Sequence, residues 1–283
     1  MGEAYIVSAR LLAHYRATAR DLPWRRSHDP YAVLVSEVML QQTQASRVAP
    51  AFERFIRRFP TLSALAAAPL AAVLREWSGL GYNRRARDLH RIARQCPDGL
   101  PSDVAALDAL PGIGAYTAGA IACFAFGQRV AFADVNIKRV LGRVFLGRPG
   151  TDMEGIDLDL RAMPIRSADL WHHALMDLGA TICIARDPKC GVCPLRSSCA
   201  FANGATGTAA AAVRHAPSAL RPAAFKDSDR RIRGAIVRTL TTSDLTIKAL
   251  EKEIGDERVG RLTEALVADG LVERAGRRYR LPL

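Results

Sequence analysis

The stretch LPGIG-AYTAGA (residues 110–120) joins two segments in which apolar residues recur with helical spacing. Glycine permits positive φ angles and a close approach of another backbone, so Gly112 and Gly114 predict a tight turn between two helices. We expect the second helix to begin near Ala115, where its free amide groups would favour a phosphate. A turn that serves only helix packing is the commoner alternative for this motif alone.

Around this turn, the pattern up to about residue 200 is helical. Apolar residues recur at spacings of three and four in VAPAFERFIRRF (48–59) and LAAVLREWSGL (70–80), and no long alternating strand pattern is present. Residues 201–225 are small and interrupted by proline, which predicts a linker. Residues 226–283 contain short helical segments and then a basic hairpin that turns at Ala275-Gly276, an order that predicts a winged-helix-like module.

The composition favours a nucleic-acid partner. The chain has 283 residues and a formal charge of +12, from 40 basic and 28 acidic residues, and 35 of the basic residues are arginine. Guanidinium groups pair bidentately with phosphate oxygens, although a solvated basic surface is an equal alternative. The hydrophobic content of 49% excludes global disorder. We expect a cytoplasmic protein without a membrane partner, because no apolar run of about 18 residues and no signal peptide pattern is present.

Four of the six cysteines lie in one window, separated by gaps of six, two and five residues. Such clustering in a cytoplasmic chain indicates a metal or cluster site rather than disulfides. A single Cys-x-x-Cys with irregular flanking gaps favours an iron–sulfur cluster, with zinc as the alternative. The four are Cys183, Cys190, Cys193 and Cys199, whereas Cys96 and Cys123 are expected to be buried structural thiols.

Two acidic residues stand in apolar text. Glu37 is the only charged residue between Tyr31 and Leu40, and Asp134 follows shortly after Phe132. A buried carboxyl group has a raised pKa and can hold a proton near neutrality, which suits acid–base chemistry. A helix cap or a hidden salt bridge is the alternative for either residue taken alone.

Together these features resemble the MutY-type adenine DNA glycosylases, which are helix-hairpin-helix enzymes that carry a 4Fe-4S cluster. The family's motifs occur here in the same order across most of residues 20–200, and the family's cluster cysteines have the same three gaps. The matching segments are Leu22-Pro23-Trp24-Arg25, SEVMLQQTQ (36–44), GLGY (79–82), LPGIG-AYTAGA (110–120), DVNIKRV (134–140) and ALMDLGATIC (174–183).

The resemblance implies a mainly α, helix-hairpin-helix glycosylase fold. A six-helix barrel module with the hairpin would span residues 24–129. An N-terminal helix and an iron–sulfur cluster module would combine residues 1–23 with residues 130–200. The linker at 201–225 and the winged-helix-like module at 226–283 would follow.

The resemblance also assigns catalytic roles. Glu37 would protonate the adenine, so that the N-glycosidic bond can break. Asp134 would support the oxocarbenium-like sugar, as in sugar hydrolases, and Asn136 would orient these groups. Relatives similar to endonuclease III carry a nucleophilic lysine at the position of Tyr116, and a phenol cannot form the Schiff base that cleaves the strand. The expected enzyme is therefore monofunctional, with water as the final nucleophile.

Further family positions imply contacts with DNA and with the cofactor. The residues that would enter or flank the opened duplex are Gln41, Gln42, Thr43 and Tyr82. The walls of the adenine pocket would be Trp24, Arg25 and Leu40, for which ordinary core packing is an equal alternative. The backbone amides of Gly112, Ile113 and Gly114 would bind phosphate, with a monovalent cation as an optional partner. The cluster ligands would be Cys183, Cys190, Cys193 and Cys199.

The sequence departs from the family in two ways. Standard bacterial members continue into a Nudix-like domain that recognises 8-oxoguanine, and nothing here resembles it, so the preference between guanine and 8-oxoguanine opposite the adenine stays open. Val135 also replaces a glycine that is common in the closest family motif. The C-terminal module is either an extra DNA contact or a helical cap on the catalytic region. The basic residues that could make such a contact are Arg230, Arg231, Arg233 and Arg277–Arg278.

We expect a monomer that acts on double-stranded DNA with a mismatched or damaged pair, associated with the nucleoid and without a small-molecule cofactor. A thymine/guanine mismatch glycosylase on the same scaffold is one alternative function. A non-catalytic iron–sulfur regulator that only binds DNA is another. Glu37 and Asp134 disfavour the regulator, because acidic groups that face a polyanion do not help binding alone.

Overall fold

A computed structural model describes residues 2–204 and 228–283 of the protein. Fifteen α-helices and one two-stranded sheet form in these residues, so the predicted mainly α architecture is confirmed. None of these helices combines the length and the apolar composition needed to cross a membrane. In chain order the helices are α1 (Gly2–Thr18), α2 (Pro30–Leu40), α3 (Ala45–Arg58), α4 (Leu62–Ala67), α5 (Leu70–Glu76), α6 (Arg84–Gln95), α7 (Val104–Asp108), α8 (Ala115–Phe126), α9 (Val135–Leu146), α10 (Asp152–Ala162), α11 (Ala168–Thr181), α12 (Ala200–Gly204), α13 (Asp229–Thr239), α14 (Ile247–Ile254) and α15 (Val259–Ala268), and the strands are β1 (Glu273–Ala275) and β2 (Arg278–Arg280).

Packing divides the described chain into two compact units. The first unit contains residues 2–21, 102–108 and 114–204, and the second contains residues 22–101, 109–113 and 228–283. Helices α7 and α8 pack with the first unit, although the module boundary expected from the sequence lies at residue 130. The physical reason is contact between α8 and α11, where the rings of Phe124 and His173 stack at 4.2 Å. Residues 201–204 of the expected linker belong to α12, and residues 205–225 lie outside the described residues.

In the first unit, α9 is the central helix and packs against α10, α11 and α12, while α1 covers α11. A buried polar network joins these elements around Asp159. Its Oδ1 accepts a hydrogen bond from Trp171 Nε1 at 2.6 Å, and its Oδ2 lies 2.8 Å from His172 Nε2. Asp159 Oδ2 also accepts from the amide of Phe132 at 3.3 Å, and the Phe132 ring stacks on His172 at 4.0 Å. The network therefore holds the chain segment that leads into Asp134.

In the second unit, α2 is the most deeply buried helix. Pro30 occupies its first position, where a missing N–H costs nothing, and Asp29 caps it by accepting from the amides of Tyr31 and Ala32 at 3.4 and 3.1 Å. Residues 31–39 are all buried, and α2 packs against α3 and α6. Helix α2 therefore carries its one acidic residue, Glu37, into the interior.

In residues 228–283, three helices precede a hairpin, which is the order of elements that the sequence predicts, and the winged-helix-like assignment stays a prediction. Helices α13, α14 and α15 precede β1 and β2, which pair antiparallel with Arg274 opposite Tyr279. Leu245 forms an isolated antiparallel bridge with Tyr279. Gly276 has φ 61° at the predicted hairpin turn, a conformation that glycine adopts readily.

This C-terminal module docks within the second unit on α5 and α6. The Ala71 amide donates to the carbonyl of Pro282 at 2.9 Å, and Arg75 Nε donates to the carbonyl of Thr241 at 3.1 Å. Arg84 Nη2 forms an ion pair with Asp269 at 2.5 Å, at the end of α15. The module therefore packs against α5 and α6, and both alternatives for its role stay predictions.

We expect Asp159→Ala to destabilise the protein by about 3–5 kcal/mol, because its buried partners would lose their shared acceptor. Urea denaturation followed by circular dichroism measures this loss. Asp157→Ala is the matched control, since Asp157 on the same helix pairs with Arg161 at the surface at 2.9 Å. Exposed pairs of this kind contribute about 0–1 kcal/mol. Equal midpoints for the two variants would contradict the structural role of Asp159.

Candidate functional site

Two residues expected to enter the DNA duplex have strained backbone conformations. Gln42 has φ 55° and Tyr82 has φ 50°, a region that residues other than glycine rarely adopt. Each such conformation costs on the order of 1–3 kcal/mol and persists only where surrounding contacts enforce it. Both residues lie in short loops of the second unit, Gln42 after α2 and Tyr82 before α6.

Arg85 at the start of α6 joins these two loops. Burial lowers the pKa of Arg85 to about 10, so its guanidinium group remains charged at neutral pH. The acceptors of Arg85 are the carbonyl oxygens of Val38 (2.9 Å), Met39 (2.9 Å), Gln41 (2.5 Å), Leu80 (3.3 Å) and Gly81 (3.2 Å) and the hydroxyl of Thr43 (3.1 Å). The sequence analysis did not identify Arg85, because its neighbouring residues do not distinguish it from the other arginines.

The Tyr82 ring is held by two cations of the second unit. The guanidinium of Arg85 lies 5.3 Å from the ring centroid, and that of Arg230 from α13 lies 4.9 Å from it. Arg230 Nη1 also donates a hydrogen bond to the Tyr82 hydroxyl. The ring of a residue expected to enter DNA is thus oriented by a side chain from the C-terminal module.

The residues expected to form the adenine pocket, and Glu37, also lie in the second unit. Trp24 is buried and meets the ring of Phe52 edge-on at 5.9 Å, so part of its role is core packing. Arg25 and Leu40 are partly exposed at the edges of this region. Glu37 is 7% exposed, and every other residue of α2 from 31 to 39 is also buried. Glu37 is therefore buried, as the sequence predicts.

The predicted turn between α7 and α8 contains two glycines, and one of them has a positive φ angle. Gly112 has φ 74°, and an added Cβ would lie 3.2 Å from the Cβ of Asp88, so a side chain would be disfavoured for two reasons. Gly112 also accepts a hydrogen bond from Gln41 Nε2 at 3.4 Å, and Ile113 is buried. Gly114, by contrast, has φ −125° and precedes α8, which begins at Ala115 as predicted. Of the two glycines, Gly112 has the positive φ that glycine permits and Gly114 does not.

Asp134 caps helix α9 in the first unit. Its Oδ1 accepts from the amides of Asn136 and Ile137 at 2.8 and 2.7 Å, and its Oδ2 accepts from Asn136 Nδ2 at 2.8 Å. The carboxylate is partly exposed and surrounded by N–H donors, so the apolar setting expected from the sequence is wrong. Donors at a helix N-terminus stabilise a carboxylate, which suits an electrostatic role more than a proton-donating one.

Arg139 connects this cap to the cysteine region of the same unit. It donates from Nη2 to Asn136 Oδ1 and to the Gly179 carbonyl, both at 2.7 Å, and from Nε to the Cys183 carbonyl at 2.8 Å. Burial lowers the pKa of Arg139. A Cβ on Gly179 would lie 2.7 Å from that of Asn136, so only glycine allows α11 to approach so closely. Sequence reasoning assigned no role to Arg139 or Gly179.

Tyr116 lies in the first turn of α8, also in the first unit. Its ring meets Phe132 edge-on at 5.5 Å and is partly exposed. The same Phe132 amide is held by Asp159, so Tyr116 and the segment before Asp134 share one support. Position 116 is therefore occupied by a tyrosine whose ring packs against Phe132.

The four clustered cysteines line one small cavity of the first unit, together with Arg143. Arg143 is 1% exposed, donates to the carbonyls of Ile184 and Ala185 at 2.7 and 2.8 Å, and has Nη1 3.5 Å from Cys183 Sγ. A buried cation beside sulfur stabilises a thiolate. The arrangement thus carries positive charge to a site where thiolates would bind metal.

The cysteine set fits the four-thiolate ligation of a multi-iron cluster, because all four cysteines line one cavity. Each thiolate of a 4Fe-4S cluster ligates a different iron, so its ligands need not converge on a single point. Burial raises the pKa of Cys193 to about 11 and also raises that of Cys199, so bound iron would be needed to hold these thiols ionised.

Two protein-family models match this chain, one over its helical region and one over its cysteine region. Residues 35–161 match the HhH-GPD superfamily of base excision DNA repair proteins, and residues 183–199 match the iron-sulfur binding domain of endonuclease III. An adenine DNA glycosylase of Mycobacterium tuberculosis is 40% identical over 99% of this chain and 95% of its own length. The cluster cofactor predicted from the cysteine spacing is thereby confirmed.

Two solved structures share the fold. A thermostable thymine-DNA glycosylase is 28% identical with a TM-score of 0.65, covering 71% of this chain and 97% of that one. An endonuclease III trapped as a covalent intermediate with DNA is 23% identical with a TM-score of 0.60, covering 70% of this chain and 94% of that one. The helix-hairpin-helix glycosylase fold expected from the sequence is confirmed.

We expect Cys199→Ser to lose the iron, the sulfide and the brown colour of the purified protein, because one of four thiolate ligands is removed. Elemental analysis and visible absorption measure the result. Cys96→Ser is the control, since Cys96 lies outside the cysteine cavity, and it should keep the wild-type iron content. Zinc without sulfide in the wild type, or unchanged iron in Cys199→Ser, would contradict the assignment.

Proposed function

The chain belongs to the adenine DNA glycosylases of the HhH-GPD superfamily, and from this premise we propose that it hydrolyses the N-glycosidic bond of adenine paired with 8-oxoguanine or guanine in double-stranded DNA. The observation that carries the activity is the 40% identity to the mycobacterial adenine DNA glycosylase over 99% of the chain. It is an enzyme of base excision repair that acts on N-glycosyl bonds. The opposing base and the roles of individual residues are the proposal.

Glu37 is proposed as the general acid. Adenine leaves its sugar as a poor anion, and a proton delivered to the ring makes it a neutral leaving group. The 7% exposure of Glu37 places the carboxyl group away from bulk water, and this burial supports the role. The buried helix α2 would keep the side chain in one orientation during the transfer.

Asp134 is proposed as the charged partner of the reaction. When the bond breaks, the sugar develops positive charge, and a fixed carboxylate beside it lowers the barrier. The three N–H donors that hold Asp134, two of them from Asn136, support an oriented carboxyl group. A water molecule would then complete the hydrolysis at the sugar carbon.

The DNA contacts proposed for this reaction come from the loops of the second unit and from the glycine turn. Extruding a base leaves a gap in the stack, which Gln42 and Tyr82 would fill from their strained loops. The amides of Gly112, Ile113 and Gly114 would bind a phosphate, and a monovalent cation could join them. When bound, the cluster cross-links its four cysteines, and this would fix Cys183, whose carbonyl accepts from Arg139.

The thymine-DNA glycosylase likeness supplies the second candidate function. That protein is 28% identical to this chain, against 40% for the adenine DNA glycosylase, so adenine is the favoured substrate. Duplexes with adenine opposite 8-oxoguanine, adenine opposite guanine, thymine opposite guanine, and ordinary pairs separate the possibilities after alkali treatment. Cleavage confined to the adenine strand is the expected result, and cleavage of the thymine strand would contradict it.

We expect Glu37→Gln to lower the single-turnover rate of adenine release by about 10²–10⁴-fold while leaving DNA binding intact, since an amide cannot supply the proton. Glu53→Gln on the exposed face of α3 is the control and should retain the wild-type rate. Turnover by Glu37→Gln at the wild-type rate would remove Glu37 from the mechanism.

Tyr116 predicts that the enzyme forms no Schiff base with its substrate. Borohydride treatment during turnover should therefore yield no covalent DNA adduct with the wild-type protein or with Tyr116→Phe. Tyr116→Lys supplies an amine at this position and should yield an adduct, because a lysine can attack the sugar carbon. An adduct of the wild-type protein in high yield would show that another residue is the nucleophile.

A further inference from the structure

Arg230 on α13 contacts Tyr82, a residue expected to enter the duplex, and both residues belong to the second unit. The guanidinium carbon of Arg230 lies 4.9 Å from the centroid of the Tyr82 ring, and Nη1 donates a hydrogen bond to the Tyr82 hydroxyl. A cation over the ring favours one placement of the ring plane, and a donor at the hydroxyl fixes where the far end of the side chain points. Arg230 therefore restrains the Tyr82 side chain from outside its own loop.

The backbone of the Tyr82 loop is held by a different arginine. Arg85 Nη2 donates to the carbonyls of Leu80 and Gly81 at 3.3 and 3.2 Å, and the Tyr82 backbone that follows has φ 50°. Arg85 belongs to α6, whereas Arg230 belongs to the C-terminal module. The strained backbone and the ring of Tyr82 thus have supports from two parts of the chain that are distant in sequence.

Asp269, which follows α15, holds α13 close to α6. Its Oδ1 accepts a hydrogen bond from Arg84 Nη2 at 2.5 Å, and its Oδ2 pairs with Arg233 of α13. The Asp269 carbonyl also accepts from Arg87 Nη1. Because the Asp269 side chain is 13% exposed, these ion pairs are partly shielded from solvent and salt. One acidic residue therefore links the start of α6 to α13.

The spacing on α13 connects this ion-pair cluster to the ring contact. Arg230 and Arg233 are three positions apart, so their side chains leave neighbouring positions on one face of the helix. The bond of Arg233 to Asp269 therefore fixes the rotation of α13 that presents Arg230 to Tyr82. The hydrogen bonds between the module and α5 add to this restraint.

We propose that the C-terminal module is a positioning element for base-pair opening: Arg230 orients the Tyr82 ring for entry into the duplex, and Asp269 holds α13 where Arg230 can do so. The inference rests on the proposed function, because it requires Tyr82 to enter the DNA. Arg230 is a positioning residue that acts through Tyr82 rather than through a phosphate. A ring that is oriented before DNA arrives loses less freedom on insertion, so the pair opens more readily.

A double-mutant cycle tests whether Arg230 acts through Tyr82. Wild type, Arg230→Ala, Tyr82→Leu and the double variant are compared as full-length proteins in single-turnover release of adenine opposite 8-oxoguanine at saturating enzyme. We expect Arg230→Ala to lower the rate by on the order of tenfold, because the cation and the hydroxyl donor are lost. In the Tyr82→Leu background, the same substitution should change the rate by less than about twofold, since the ring is absent. Equal losses in both backgrounds would overturn the proposal.

Arg274→Ala is the matched control within the same module. Arg274 lies 5.9 Å from the ring centroid of Tyr279, so the substitution removes the same charge and the same kind of contact from a tyrosine that is not expected to enter DNA. It should keep the wild-type rate. Melting temperatures of both variants, measured by circular dichroism, show whether each is folded at the assay temperature. An equal loss of rate in Arg274→Ala would contradict a specific role for Arg230.

Salt dependence separates positioning from direct contact with a phosphate. Glu37→Gln and Glu37→Gln/Arg230→Ala, which do not turn over, are titrated with the same duplex by fluorescence anisotropy over a range of salt concentrations. Positioning leaves the slope of log K against log salt unchanged, whereas a lost phosphate contact lowers it by about 0.9. A 2-aminopurine beside the target adenine should be less fluorescent with the Arg230→Ala protein, because fewer pairs are opened. A slope lowered by that amount, or fluorescence equal to that of the parent, would overturn the proposal.

Asp269→Asn tests the second part of the proposal. An amide cannot neutralise Arg84 and Arg233, so α13 should lose its fixed placement and the rate of adenine release should fall as it does with Arg230→Ala. Adding Arg230→Ala to Asp269→Asn should then cause little further loss, because the contact with Tyr82 is already weakened. Fully additive losses would contradict the role of Asp269.

Failure of the proposed function would give a different result. Absence of adenine release by the wild type would refute the activity, whatever the variants do. Adenine release by the wild type, together with the same loss from Arg230→Ala whether or not Tyr82 is present, would refute only the positioning role of the C-terminal module.

Discussion

The buried guanidinium group of Arg85 is the interaction on which the second unit's candidate site depends. Two loops that are distant in sequence each contain a residue with positive φ, and neither loop would keep that shape alone. Arg85 bonds to carbonyls on both sides, so the unfavourable backbone at Gln42 and Tyr82 is offset by charge-assisted hydrogen bonds from a half-buried guanidinium group.

In the first unit, Asp134 is held by the amides at the N-terminus of α9 and by the side-chain amide of Asn136. Arg139 extends the support to the cysteine loop, and Asp159 holds the preceding Phe132. Hydrogen bonds of Arg139 therefore join the Asp134 cap to the cysteine region.

Local sequence signals were reliable where a local physical rule decides the structure. Turn chemistry predicts the start of α8 at Ala115 and the hairpin turn at Gly276. The number of clustered cysteines matches the four ligands of an iron–sulfur cluster. The expectations failed where a neighbour decides. Asp134 lies among N–H donors and not in the apolar setting that its sequence neighbours predict.

Apolar periodicity predicts the mainly α architecture, and the resemblance of the motifs and cysteine gaps to a known family predicts the family and the cofactor. The bonds of Arg85 to both loops, the space that Gly179 leaves for Asn136 and the contact of Arg230 with Tyr82 are visible only in the folded chain. These contacts join residues far apart in sequence, and one arginine among 35 carries no local mark of the carbonyls or rings that it will meet after folding.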